Sequence, residues 1–141
     1  MREITKLMIE IYNLRRLKYD FMGYQFDKVT DLSFHHLVVP HKDCKEYGLG
    51  EGYLQWNGAI LCKDTSHPYL HIIAEYDYDR FAYITNEMIE QNSQCYLDMH
   101  NIRRIDGILN AFEREYCGTR NRKGKLIIKE EYTKRLIKTR R

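Results

Sequence analysis

Leu32-Ser33-Phe34-His35-His36-Leu37-Val38-Val39 is an apolar and aromatic run closed by Pro40. It reads as a short strand stopped by a residue that cannot continue a ladder. From His41 to Gly52 the chain is polar, with Gly48, Gly50 and Gly52 at alternate positions, which predicts a loop. A second apolar run, Ala59-Ile60-Leu61-Cys62, follows Trp56-Asn57-Gly58 and ends at Lys63-Asp64-Thr65-Ser66. Two short strands with one loop between them predict an antiparallel hairpin. Thr65 or Ser66 suits a helix cap, and Pro68 falls where a first turn tolerates proline, so a helix is expected from His67 to about Tyr76. The order strand, strand, helix sets the fold class as α+β.

On either side the apolar period changes to that of helices. Ile4, Leu7, Met8, Ile11, Leu14, Leu17 and Phe21 recur at three- and four-residue steps, predicting an amphipathic helix from residue 2 to about 21. Phe81, Ile84, Met88 and Ile89 fit another, and Ile105, Ile108, Leu109, Phe112 and Tyr116 fit a stronger one that Gly118 would end. With 141 residues, 43% apolar and only two prolines, the expectation is a single domain over 1–141. It comprises an N-terminal helix and connection (1–31), the hairpin-plus-helix unit (32–76), a helical scaffold (77–118) and a basic C-terminal tail (119–141).

No apolar run approaches the ~18 residues of a membrane span. The mixed charge at the N-terminus does not resemble a secretion signal, so an intracellular, cytoplasmic setting is expected. Cysteines at 44, 62, 95 and 117 form no C-x-x-C pair, and reduced, buried thiols are expected. The net charge of +3 is uneven: from Gly118 onward ten basic residues face two acidic ones, while the preceding residues carry 13 basic and 18 acidic side chains. A tail of that sign suits a polyanion, with Arg120, Arg122, Lys123 and Lys125 as its first candidate contacts. Tyr47, Tyr53 and Trp56, beside the long polar segment, are candidates for stacking on bases.

Four of the six histidines fall in two places, His35-His36 on the first strand and His67-x-x-x-His71 on the short helix. Residues four apart share a helix face, so His67 and His71 can grip one metal ion. His35 and His36 point to opposite sides of a regular strand. One completes such a site only if the other faces elsewhere, unless a bulge re-aims them.

His35-His36, then Asn57-Gly58-Ala59-Ile60-Leu61-Cys62, then His67-Pro68-Tyr69-Leu70-His71 together resemble the HNH, or ββα-metal, nuclease motif. The resemblance covers about residues 32–76 and implies a ββα-metal unit embedded in flanking amphipathic helices. It makes His35, His67 and His71 ligands of one divalent metal ion and His36 the general base that activates water. Asn57 would orient that base by bridging the hairpin loop. Two departures stand out: the loop between His36 and Asn57 is longer than in compact members, and the paired zinc-binding cysteines of some branches are missing. Phages and mobile elements are the setting the resemblance implies.

The chemistry suits this division of labour. An imidazole with reference pKa ~6.5 can make water nucleophilic near neutral pH, and a metal neutralises charge on phosphate and leaving oxygen. An asparagine amide can also accept from a ring N–H and fix its tautomer. Three neutral imidazoles favour zinc, nickel, cobalt or manganese over magnesium, although the resemblance tolerates magnesium. The expected function is a metal-dependent endonuclease hydrolysing phosphodiester bonds, with nucleic acid, DNA ahead of RNA, as partner. The alternative is a catalytically silent regulator that uses the same unit to bind protein or nucleic acid.

Overall fold

A computed structural model describes residues 2–94, 96–120 and 126–128. Its N-terminal helix is shorter than its apolar period predicts. Helix α1 (Glu3–Ile11) is followed by a single turn, α2 (Leu14–Leu17), because Asn13 (φ 54°) and Lys18 (φ 63°) adopt the left-handed region. Asparagine enters that region at little cost, and the Tyr12 hydroxyl just before it donates to Asn92. The break lets Ile4, Met8, Tyr12, Leu14 and Phe21 all reach the core, whereas Leu7 and Ile11 are left exposed.

A 3₁₀ turn (Val29–Asp31) leads into β1 (Leu32–His36), which pairs antiparallel with β2 (Gly58–Cys62), from Leu32↔Cys62 to His36↔Gly58. The first strand stops three residues short of Val39. Leu37 N–H donates to the Asn57 carbonyl at 2.7 Å, and Val38 and Val39 N–H donate to Asn57 Oδ1 at 2.9 and 2.8 Å. A side chain thus replaces the ladder and turns the chain away.

The segment between the strands is not the loop its polarity and glycines predict. It contains α3 (His41–Glu46) and α4 (Glu51–Trp56). Gly48, at φ 63°, closes α3: its N–H donates to Lys45 O at 3.3 Å, and Leu49 N–H reaches back to Cys44 O at 3.0 Å. These two bonds are a Schellman motif, which selects glycine for its left-handed position. Helices of six residues are too short for an apolar period to show.

Every residue of β2 is buried, which accounts for its continuous apolar run. Beyond it come α5 (Ser66–Tyr76), α6 (Tyr78–Gln94) and α7 (Met99–Tyr116). Ile60 and Leu61 of β2 share one core with Leu70 and Ile73 of α5, Ile84 and Met88 of α6, and Ile105 and Phe112 of α7. Helix α7 ends before Gly118, which lies inside β3 (Cys117–Arg120), paired antiparallel with β4 (Leu126–Ile128). The architecture is α+β. Among the described residues no helix is long and apolar enough to cross a membrane. Arg120 closes β3, while Arg122, Lys123 and Lys125 lie outside the described residues.

Candidate metal centre

Alternation along β1 sends Ser33 and His35 toward α5, while Phe34 and His36 share the opposite face, their rings edge to face at 4.8 Å. On α5, His67 and His71 are one turn apart and stack at 5.0 Å. The His35 ring stands nearly perpendicular to both, at 5.0 and 5.7 Å. One ligand atom from each of these three histidines lies within 4.8 Å of the others. Of the two arrangements the strand allowed, His35 is therefore the one that joins His67 and His71.

The start of α5 is fixed from a distance. The buried carboxylate of Asp20 accepts from Met22 and Tyr24 N–H, from Cys62 N–H and from the Ser66 hydroxyl. It thereby ties the end of β2 to the first turn of α5, and His67 is the next residue. Ser66 and Thr65 were both expected to suit a cap. Thr65 occupies that position without a side-chain capping bond, and Ser66 bonds Asp20 instead.

The Ser33 hydroxyl bridges β2 and α5, 3.1 Å from Leu61 O and 2.8 Å from His67 Nδ1. With its proton on Leu61 O, its oxygen accepts from His67 Nδ1–H, the arrangement that leaves the Nε2 lone pair free for an ion. That Nε2 stands 3.3 Å from His35 Nδ1. That separation is long for a hydrogen bond. It matches the edge of a tetrahedral site, where ligand nitrogens at ~2.0–2.1 Å from an ion stand about 3.3–3.4 Å apart. With Nδ1 toward the cluster, the other ring nitrogen of His35, Nε2, is buried without a hydrogen-bond partner. The three residues fit a metal ion.

Electrostatics point the same way. Burial, reinforced by His67, His71 and His36, holds His35 down to about 3, and burial with His71 also lowers His67. Both are neutral donors at neutral pH, so an ion need not displace protons from them. His35 is buried, His67 half-buried and His71 exposed, so the cluster opens to solvent on the His71 side.

His36 lies between Phe34 and His41, whose ring is 5.2 Å away. Burial, followed by His41, Arg2 and His67, brings it down to about 4, and its Nε2 is buried without a partner. The Phe34 ring occupies the space over Gly58, where a Cβ would meet its Cε2 at 2.1 Å. Asn57 does not reach the His36 ring, as an amide fixing its tautomer would. Its oxygen accepts from Val38 and Val39, and its nitrogen donates to Val39 O at 2.7 Å. Its side chain ties the backbone that follows β1. Asn92 braces the same corner, the two hydrogens of its Nδ2 shared among the Gln55, Trp56 and Gly58 carbonyls at 2.8–2.9 Å.

Three participants escaped the sequence. Ser33 precedes His35 by two and so shares its face, a signal that strand alternation offered. His41, given no role, meets His36 across the turn after β1. Asp20 acts over more than forty residues and had no local signature. Tyr47 and Trp56 are exposed, as stacking requires, while the Tyr53 side chain lies outside the described residues.

The chain matches no protein-family model, no curated protein and no solved structure.

Proposed function

We propose that this chain is a metal-dependent, HNH-like endonuclease built on a ββα-metal unit within residues 32–76. The observation that carries this is the convergence of His35, His67 and His71 within 4.8 Å, with His36 next in the chain. The three imidazoles would hold zinc or another transition metal ahead of magnesium. When bound, the ion would neutralise charge on the phosphate and the leaving oxygen. Ser33 keeps the His67 lone pair directed at the cluster. Asn57 bends the backbone away after His36 and so sets where that ring ends. His36, neutral at neutral pH, accepts a proton from the attacking water. Burial is the larger cause of the weakness of His36 as a base; an anionic phosphodiester beside Arg2 would offset the smaller part contributed by its charged neighbours.

One observation favours a second reading, a catalytically silent regulator that binds nucleic acid or protein. His36 Nε2 is buried, whereas a general base needs water within reach. Nicking of supercoiled plasmid with zinc, nickel, cobalt, manganese and magnesium separates the two. The endonuclease nicks with at least one metal, and His36→Ala slows it roughly 10²- to 10⁴-fold while the metal stays bound. Nicking by His36→Ala at the wild-type rate overturns the base assignment, and no nicking with any metal favours the regulator.

A further inference from the structure

Along β1 opens a cleft of about 420 Å³, lined by Arg2 and Thr5 of the α1 segment, Thr30, Ser33, Phe34 and Lys63. Two of its lining residues are cations, three carry hydroxyls and none carries a carboxylate. The cleft touches both halves of the site already described. Ser33 hydrogen-bonds His67, and the Phe34 ring packs edge-on against His36. The Arg2 guanidinium stands 5.4 Å from the centre of the Phe34 ring.

We propose that this cleft binds a phosphate group of the nucleic-acid backbone, with Arg2 and Lys63 as the cations that hold it. The inference rests on the nucleic-acid reading above and adds the track by which a strand approaches the cluster. A guanidinium presents two parallel N–H donors to phosphate oxygens, a lysine adds a mobile point charge, and hydroxyls complete the shell. Free of competing carboxylates, the lining selects an anion. Both cations are exposed, so their contribution is paid by counterion release and must appear in the salt dependence.

The test is fluorescence anisotropy of a labelled DNA duplex with the full chain, in EDTA to prevent turnover, over a range of salt concentrations. Arg2→Gln/Lys63→Gln should bind about tenfold more weakly, with a log–log salt slope shallower by about 2. Its metal content after reconstitution and its circular dichroism should equal those of wild type. Arg103→Gln/Arg114→Gln removes the same charge from the exposed face of α7 and should leave affinity and slope unchanged. Wild-type affinity and slope in the cleft variant overturn the proposal, as does an equal loss in the α7 variant. A wild-type chain that binds no duplex overturns it together with the nuclease reading. Weakened binding by the cleft variant in a protein that nicks with no metal upholds the cleft and overturns the nuclease alone.

Discussion

Ser33 Oγ stands 2.8 Å from His67 Nδ1 and 3.1 Å from Leu61 O. With its proton on Leu61 O, this strand hydroxyl accepts from Nδ1 and leaves Nε2 of the helix histidine free for an ion. Partners of this kind typically account for 10- to 100-fold in metal affinity. Ser33→Ala should weaken zinc binding by about that factor, read by competition with a chromophoric chelator, with the fold intact by circular dichroism. Unchanged affinity would show that the tautomer needs no help from Ser33.

Acid should unfold the metal-free protein. His35 and His36 are held at about 3 and about 4, against 6.5 in an unfolded chain, and His67 is also lowered. The unfolded state thus binds more protons below pH ~6.5, so stability is full above that value and falls as pH drops toward 3–4. Asp20, raised by burial against its four donors, acts in the opposite sense at the acid end. Thermal unfolding after chelation should show Tm falling between pH 7 and pH 5, with a net uptake of protons on unfolding at pH 5. A Tm constant over that interval would contradict the buried, neutral state of these rings.

Asn57 is buried and satisfies two N–H groups and one carbonyl of the segment after β1. Asn57→Ala strands those groups and should cost about 2–4 kcal/mol by urea unfolding, since each unsatisfied buried group costs ~1–3 kcal/mol. A loss below ~1 kcal/mol would mean that water replaces the amide.

What the sequence revealed of the site follows from the range of the interactions. Spacing alone put His67 and His71 on one face, because i,i+4 is local geometry. Alternation left His35 and His36 as rivals for the third position, because which face of β1 meets α5 depends on the packing of a distant helix. The helical turns at 41–46 and 51–56 were hidden by their length and by glycines, one of which is a helix terminator. Asn57 was found as a residue type but not in its contacts: a side chain that replaces strand hydrogen bonds looks the same in sequence as one that orients a ring. The break at Asn13 was masked because Ile4 and Met8 before it and Leu14 and Phe21 after it all face inward.

The metal centre requires that His35, His67 and His71 bind a single ion. Metal analysis of purified, zinc-reconstituted and dialysed protein tests it most directly, with His71→Ala beside wild type because that exposed residue can be replaced without disturbing the core. About one zinc per chain in wild type, falling to a small fraction in His71→Ala while both remain folded, is the predicted result. Wild type free of zinc after reconstitution, or His71→Ala holding as much as wild type, would contradict it.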